Sequence, residues 1–451
     1  MSVVRKATAE KIGLRLVDRY SGLSVRSYYE LYKEALSWPR RDIEAFQLVR
    51  LKWLLQHAYS NVPFYRSAFN ENGLTPESIS SLEHYGRLPL LTRSNLRDSL
   101  HDLLSSDFQI RKTSRHSSSG TTGTPIVFYK DIGSRSADIA AIYLTWHLAG
   151  CEIGERRLHI WGTPDSEAQW RRWGSKLKRR MLNAKYLPAG SLNDEASYAK
   201  AIALINSYKP DFVDGYTSSI YTIARYAQDK MIEVHQPKVV LTTGETLDSY
   251  QRETIESVFG NVRDFYGCGE VNGVAIQCSE NSYHIISPRV YVECANDISK
   301  DGYRKIILTD LENRAMPFIR YDVGDLFDGI EVEKRCKCGL DSLYFRKIYG
   351  RTTELLRLPN GMMISPVSVF GGAAFREVGN IMRHQTIWNG KYLIFIFEVT
   401  DRFTKEDEEA LKHIISDLVK AYSIDFRLRT AKRIDNKGPK FRYFSIDYDA
   451  I

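Results

Sequence analysis

SSSGTTGTP, residues 117–125, is the segment on which the interpretation of the whole chain depends. Two glycines lie within a run of serine and threonine residues, and Pro125 ends it. Such a segment offers many backbone N–H groups and hydroxyls in a flexible chain, which suits the binding of a polyphosphate. It is not a Walker loop, because no lysine follows the second glycine. Composition alone leaves a Ser/Thr-rich linker as the alternative.

The composition is that of an ordinary soluble globular protein. A length of 451 residues predicts two or more domains. The net charge of +8 is spread over the chain, so it does not indicate a nucleic-acid-binding protein. The densest basic run, residues 171–180 with Trp170 and Trp173 beside it, suits either a solvated face or weak contact with phosphates or an anionic membrane surface.

We expect a cytoplasmic protein, either a monomer or a homodimer. The sequence has no run of some 18 apolar residues, and charged residues interrupt its N-terminal segment. Its six cysteines are therefore not expected to form a disulfide framework.

The central part of the chain alternates between strand and helix patterns. Short apolar runs at 157–162, 211–216, 239–245 and 262–267 are separated by helical stretches at 193–208, 218–230 and 247–259. This alternation predicts parallel strands with crossover helices, and ligands of such sheets gather at the carboxyl ends of the strands. The motifs TTGE (242–245) and YGCGE (266–270) lie at two such ends.

The predicted fold class is α/β, in two domains. Residues 1–351 form a large domain with stacked sheets, of which residues 1–110 are helical. Residues 352–451 form a small, mobile α+β domain, with strands at 392–400 and 426–434 and a helix from about Lys405 to Tyr422. Thr404 is the expected N-cap of this helix, with Asp407 three residues on.

Six motifs occur in an order that resembles the adenylate-forming superfamily of acyl-CoA synthetases. They are the 117–125 segment, TTGE, YGCGE, IRYDVGD (319–325), YGR (349–351) and GPK (438–440). Segments 54–69 and 87–97 are similar to the phenylacetate coenzyme A ligase-like branch, which includes proteins associated with capsular polysaccharide synthesis. The resemblance implies ATP-dependent activation of a small-molecule carboxylic acid to an acyl adenylate, with release of pyrophosphate. The acyl group then passes to a thiol, coenzyme A first, or alternatively to an amine or hydroxyl in polysaccharide or natural-product assembly.

The resemblance also implies roles for individual residues around ATP. Glu270 would bind Mg²⁺, a hard cation that prefers oxygen ligands. Asp325 would accept hydrogen bonds from the ribose hydroxyls, and Arg351 would reach the ribose or the phosphates. The phosphate-binding residues would be Ser118, Ser119, Gly120, Thr121, Thr122 and Gly123, and the nucleotide would also contact Gly244, Glu245, Tyr266 and Gly267.

The implied catalytic residues are Thr121, Glu270 and Lys440. Lys440 would bridge the carboxylate and the α-phosphate, with Lys437 as the rival candidate.

The chain departs from the family pattern at two places. Gly269 replaces the threonine of the family's YGxTE motif, and Thr353-Glu354 stands where relatives commonly carry an aspartate pair. These departures support a second class of function, a catalytically degenerate nucleotide-binding protein.

Two further groups of residues carry hypotheses of their own. Tyr216, Thr217, Ser218, Trp161 and Gly162 lie in segments that face the acid in similar proteins, although they also suit an ordinary core. Three thiolates and one imidazole, from Cys278, His284, Cys336 and Cys338, would make a closed tetrahedral site for structural Zn²⁺. Unpaired surface thiols are the alternative.

Overall fold

The computed structural model describes residues 13–15, 18–19, 21–117, 126–162, 182–295, 303–351, 356–357, 363–364, 366–370, 375, 378–420, 422–435 and 441–450. The chain divides into two compact units. Unit 1 comprises residues 1–153 and 265–348, and unit 2 comprises residues 154–264 and 349–451. The predicted phosphate segment 118–125, the basic run 171–180, the pair Thr353-Glu354, and Lys437 and Lys440 lie outside the described residues.

The described elements are numbered in chain order. The helices are α1 (Val25–Ala35), α2 (Arg40–Asn61), α3 (Pro63–Glu71), α4 (Leu82–Tyr85), α5 (Arg93–Asp98), α6 (Ile132–Leu148), α7 (Glu195–Tyr208), α8 (Thr217–Asp229), α9 (Ser249–Phe259), α10 (Pro366–Val369) and α11 (Lys405–Lys420). The strands are β1 (Thr113–Ser117), β2 (Val127–Asp131), β3 (Arg157–Trp161), β4 (Ala184–Pro188), β5 (Phe212–Tyr216), β6 (Val239–Thr243), β7 (Val262–Tyr266), β8 (Ala275–Gln277), β9 (Tyr283–Ile285), β10 (Val290–Cys294), β11 (Arg304–Asp310), β12 (Tyr321–Phe327), β13 (Tyr344–Phe345), β14 (Ile348–Arg351), β15 (Leu356–Arg357), β16 (Met363–Ile364), β17 (Ile381–Trp388), β18 (Tyr392–Val399), β19 (Asp425–Ala431) and β20 (Phe444–Ile446).

Unit 1 begins with helices, as predicted for residues 1–110. Helix α2 buries one stripe that includes Leu51, Leu54, Leu55 and Ala58, which recur at the spacing of one helix face. Pro63 is the first residue of α3, where its missing N–H costs no hydrogen bond. The α2 stripe lies in the main hydrophobic core of unit 1, and burying each leucine contributes about 1.5–3 kcal/mol.

The strands of unit 1 are antiparallel. β1 pairs with β2 from Thr113 opposite Asp131 to Ser117 opposite Val127, so residues 118–125 join two paired strands in the chain. The strand and helix alternation ends at Tyr266, and the described residues from β8 to β13 contain no α-helix. The sequence patterns did not predict these short strands.

A buried ion cluster ties α6 to the strands of unit 1. Arg289 is 0% exposed and donates to both carboxylate oxygens of Asp310 and, at 2.8 Å, to Asp138 in α6. Lys130 in β2 donates to the other oxygen of Asp138 at 2.5 Å. Removing one partner of such a cluster would leave an uncompensated buried charge, at a cost of about 3–5 kcal/mol.

The first part of unit 2 contains the predicted parallel strands. β5 runs parallel to both β3 and β6, and β4 pairs parallel with β3. Helices α7, α8 and α9 occupy the predicted crossover positions, with Asp194 capping α7 in a capping box. The mixed α/β class is therefore confirmed.

The C-terminal part of unit 2 has the predicted α+β pattern. Strands in the order β19-β18-β17-β20 form one sheet, and α11 buries Leu411, Ile415 and Val419 against its core. Thr404 and Asp407 cap α11 reciprocally, with N–H to oxygen distances of 3.2 and 3.0 Å, so the predicted cap is confirmed. The division of the chain at residue 351 stays a prediction. Among the described residues, no helix combines the length and hydropathy needed to cross a bilayer.

Candidate active site

In unit 1, two tyrosines hold the two carboxylates that the motifs YGCGE and IRYDVGD supply. The Tyr266 hydroxyl, at the end of β7, donates to Oδ2 of Asp325 in β12 at 2.7 Å. The Tyr321 hydroxyl donates to Oε1 of Glu270 at 3.0 Å. Glu270 is 3% exposed and Asp325 is 8% exposed. The structure therefore brings together, within one unit, residues that lie more than 50 positions apart in the sequence.

Tyr321 was not predicted as a site residue. It lies in the quoted IRYDVGD motif, two positions after Ile319, but nothing local in the sequence indicates that its hydroxyl reaches Glu270. Burial and then the Glu270 carboxylate raise the pKa of Tyr321 well above its usual value. The hydroxyl therefore stays a donor to Glu270 at any physiological pH.

The segment that carries Glu270 is a compact turn built on glycines. The Cys268 N–H donates to the Val271 carbonyl at 2.9 Å. A Cβ on Gly267 would lie 2.9 Å from the Gly273 nitrogen, and one on Gly273, whose φ is +65°, would lie 2.4 Å from the Ala141 Cβ. Side chains at these two positions would displace the turn from α6.

Asp138 in α6 fixes the same turn to the buried ion cluster. Its Oδ1 accepts a hydrogen bond from the Asn272 N–H at 3.2 Å as well as from Arg289. The two partners lie 134 and 151 residues away in sequence, so no local sequence pattern indicates this contact. The rigid cluster thus supports the segment from which Glu270 projects.

Cys268 lies beside Glu270 in this turn. Burial and then the Glu270 carboxylate raise the pKa of the Cys268 thiol well above its usual value. The thiol therefore stays protonated near neutral pH.

In unit 2, Glu245 is held at the N-terminus of α8. Its Oε2 accepts from the Ser218 N–H at 2.8 Å and its Oε1 accepts from the Ser218 hydroxyl at 3.0 Å. A carboxylate in this position satisfies a free N–H of the first helical turn and complements the helix dipole. Gly244, just before it, has a φ of +79°. The predicted TTGE segment thus stabilises the N-terminus of α8, the helix that follows β5.

Aromatic rings gather at the carboxyl end of β3 and β5. Trp161 stacks on Tyr216, with 4.0 Å between ring centroids, and His159 stacks on Trp161 at 5.5 Å. His159 was not predicted, and its Nδ1 lies 2.8 Å from Oδ2 of Asp214. Burial lowers the pKa of His159, so the ring is neutral near pH 7. The predicted acyl-pocket residues Tyr216 and Trp161 therefore lie in one aromatic wall.

The C-terminal segment of unit 2 reaches this same region. The Phe441 N–H lies 3.5 Å from the Ser218 hydroxyl, and Gln251 in α9 donates to the Tyr443 hydroxyl at 3.0 Å. Phe441 directly follows Lys440 in the chain. Arg351 ends β14 and is partly buried.

A cavity of about 250 Å³ in unit 1 contains none of the described site residues. Its wall includes Tyr28 and Arg111, whose polar groups bind Glu312 and Asp107. Since these groups are already paired, we assign this cavity no role.

The predicted metal ligands lie together in unit 1. One ligand atom from each of Cys278, His284, Cys336 and Cys338 lies within 4.8 Å of the others. The described residues include all six cysteines, and none of them forms a disulfide bond.

The chain is similar to known proteins over most of its length. It is 28% identical to phenylacetate-coenzyme A ligase of Aromatoleum evansii over 349 residues, covering 73% of this chain and 74% of that protein. It is 24% identical to Protein CapK of Staphylococcus aureus over 413 residues, covering 90% and 87%. No family model matches the sequence.

Solved structures share the fold. A crystal structure of 2-hydroxyisobutyryl-CoA ligase in the postadenylation state with R3-HIB-AMP aligns with a TM-score of 0.73 at 19% identity, covering 91% of each chain. A structure of that ligase with 2-HIB-AMP and CoA in the thioesterification state gives a TM-score of 0.58 at 20% identity, again over 91% of each chain.

These similarities support the adenylate-forming superfamily. Within it, the relatives to which the chain is similar support the phenylacetate-coenzyme A ligase-like branch. The relatives support an enzyme of the AMP-forming acid–coenzyme A ligase class.

Proposed function

We propose that this protein activates a small carboxylic acid with ATP and then transfers the acyl group to a thiol, coenzyme A being the first candidate. In the first step, a carboxylate oxygen attacks the α-phosphorus of ATP and the bond to the β-phosphate oxygen breaks, which releases pyrophosphate. In the second step, a thiolate attacks the acyl carbon and AMP leaves. The observation that carries the proposal is the pair of tyrosine-held carboxylates in unit 1, on the motifs of this family.

Glu270 suits the role of a Mg²⁺ ligand. Its Oε1 is fixed by Tyr321, while Oε2 makes no hydrogen bond within the part of the chain that the structure describes. A single protein carboxylate is enough, because Mg²⁺ usually completes its octahedral shell with water and substrate phosphate oxygens. A bound Mg²⁺ would neutralise phosphate charge as pyrophosphate departs.

Asp325 suits the role of ribose acceptor. Tyr266 fixes one of its carboxylate oxygens, which sets the direction in which the carboxylate faces. Two ribose hydroxyls require two acceptor positions, and an ionised carboxylate has about four lone-pair sites. The role follows from the resemblance of IRYDVGD to the family motif.

Trp161 and Tyr216 suit an acid-binding wall, and Lys440 suits the role of the catalytic cation. The stacked rings of Trp161 and Tyr216 favour an aryl or medium-sized acid over a highly polar one. Lys440 would neutralise the reacting oxygens, and we prefer it to Lys437 because the adjacent Phe441 contacts Ser218, which binds Glu245. The residues 118–123 would hold the β- and γ-phosphates through their N–H groups and hydroxyls.

We further propose the two-domain division at residue 351, with a small domain that rotates between the two half-reactions. Cytoplasmic location, the absence of a nucleic-acid partner, and a monomeric or homodimeric state are part of the same proposal. The acceptor alternatives, an amine or a hydroxyl, use the same first step.

The first test is carboxylate-dependent exchange of labelled pyrophosphate into ATP. Aryl, fatty and amino acids are compared with Mg²⁺ present, and AMP release is then measured with and without coenzyme A. We expect exchange with an aryl or medium-sized acid and AMP release that requires coenzyme A. Exchange without coenzyme A-dependent release would favour an amine or hydroxyl acceptor. ATP binding with no exchange for any acid would contradict the proposal and favour the degenerate nucleotide-binding protein.

A further inference from the structure

We propose that Cys278, His284, Cys336 and Cys338 bind one structural Zn²⁺ ion. Tetrahedral zinc with sulfur at 2.3 Å and nitrogen at about 2.0–2.1 Å requires about 3.8 Å between two sulfurs and about 3.6 Å between sulfur and nitrogen. Here the sulfurs of Cys278 and Cys336 are 3.7 Å apart, and the Cys338 sulfur lies 3.2 Å from Nε2 of His284. The four side chains thus already lie at the spacing of one coordination sphere.

The alternative of a disulfide does not fit this geometry. A disulfide bond is about 2.05 Å long, far shorter than the 3.7 Å between Cys278 and Cys336. A disulfide would also leave Cys338 and His284 without a role, although His284 is only 2% exposed. Four metal-binding groups that converge in this way are better explained by one ion.

Neighbouring groups orient two of the ligands. The Nδ1 of His284 is hydrogen-bonded to the Ser342 hydroxyl at 2.8 Å, which leaves Nε2 to face Cys338. Such a partner on the remote nitrogen is the usual companion of a metal-binding histidine. The Glu280 N–H donates to the Cys278 sulfur at 3.3 Å, which holds that sulfur in place.

The three cysteines lie in two short turns that are closed by backbone hydrogen bonds. Asn281 N–H donates to the Cys278 carbonyl at 3.1 Å between β8 and β9, and Gly339 N–H donates to the Cys336 carbonyl at 3.2 Å. Gly339 has a φ of +91°, which a residue with a side chain would adopt only with strain. Lys337 lies within the second turn and would offset part of the charge of three thiolates on one divalent ion.

The ion would fasten β9 to β13, and through them the tyrosine that holds Asp325. Tyr344 pairs with His284 and Phe345 with Tyr283 across these strands. The Tyr283 and Phe345 rings stack at 4.9 Å, and Tyr266 meets Phe345 edge-on at 6.2 Å. Because Tyr266 holds Asp325, loss of the ion is expected to loosen the carboxylate assigned to the ribose.

The direct test is metal analysis of untagged, full-length protein purified without chelator. We expect one zinc per chain, and replacement by Co²⁺ should give the sulfur-to-metal charge-transfer and visible bands of a tetrahedral thiolate site. Cys336→Ser should lose most of the zinc, while Cys294→Ser, a partly buried cysteine in β10, should keep it. Equal zinc loss in both variants would overturn the assignment, as would bound iron in place of zinc.

A second measurement does not depend on whether the variants fold. Titrating wild-type protein with a mercurial reagent should release zinc in step with three thiols, and a chromogenic chelator reports the released ion. Absence of zinc release, or recovery of Cys278 and Cys336 as a disulfide from protein kept under reducing conditions, would overturn the proposal. Metal content and release require no enzymatic turnover, so they remain interpretable if no acid substrate is found.

Discussion

The dipeptide Gly-Glu follows a strand end twice, and its glutamate has a different environment in each unit. In unit 1, Glu270 accepts one tyrosine hydroxyl through Oε1. In unit 2, Glu245 uses both oxygens on Ser218 at the start of α8. Similar local sequence thus provides a candidate metal ligand in one unit and a helix brace in the other. The difference comes from the groups that lie nearby, the Tyr321 hydroxyl beside Glu270 and the N-terminus of α8 beside Glu245.

Lys440, on the GPK motif, is the proposed catalytic cation. Lys440→Ala should lower pyrophosphate exchange by roughly 10³-fold while ATP binding survives, because the charge on the reacting oxygens loses its partner. Exchange kinetics and equilibrium ATP binding measure the two effects. Lys437→Ala is the matched control and should keep most of the activity. If Lys437→Ala proves the more damaging change, the assignment of Lys440 is wrong.

The distinction between the two glutamates predicts different responses to the same substitution. Glu270→Gln should reduce exchange by roughly 10²-fold and raise the Mg²⁺ concentration needed for half-maximal rate, because an amide oxygen is a weaker ligand than a carboxylate. A Mg²⁺ titration of the exchange rate provides the measurement. Tyr321→Phe removes only the hydroxyl that orients Glu270, so its defect should be smaller. If the Glu270→Gln variant has an unchanged Mg²⁺ requirement, Glu270 is not a Mg²⁺ ligand.

Glu245→Gln should act on stability more than on the Mg²⁺ requirement. The variant loses the charge at the N-terminus of α8, which is worth about 1 kcal/mol. Denaturant unfolding would measure this loss as a lower midpoint concentration, while the slope of the free energy of unfolding against denaturant concentration stays unchanged. Ser218→Ala, which removes one of the two hydrogen bonds to the carboxylate, should cost less. If the Glu245→Gln variant needs a different Mg²⁺ concentration for half-maximal rate, the proposed difference between Glu245 and Glu270 is wrong.

The smallest effect is expected at Gly269, where the family motif carries threonine. A Cβ at this position meets its nearest neighbour, Cζ of Phe128, at 3.6 Å, an ordinary contact. Gly269→Thr should therefore fold and raise the exchange rate by up to about fivefold, the worth of one hydrogen bond of about 1 kcal/mol. Thermal unfolding and exchange kinetics test both statements, with Gly269→Val as the control that lacks the hydroxyl. A rate increase in both variants would contradict a role for the hydroxyl.

The sequence predicted elements whose pattern is local. The strands β3, β5, β6 and β7 and the helices between them follow from short apolar runs and helical spacing, and Thr404 was identifiable as a cap from Asp407 three residues later. The strands β8 to β13 were not predicted, because the described residues between them lack the helical stretches that separate β3, β5, β6 and β7. The site residues in the described segments were named from the motifs, but their partners were not.

The amino-acid sequence by itself determined the resemblance to the superfamily, the order of the motifs and the set of four candidate metal ligands. Only the tertiary structure decided that Tyr266 meets Asp325, that Tyr321 meets Glu270, and that Asp138 joins Arg289 to the Asn272 turn. The physical reason is that a motif records which groups are present, whereas the direction of a carboxylate depends on hydrogen-bond donors that arrive from distant parts of the chain. The packing of buried strands brings those donors within reach.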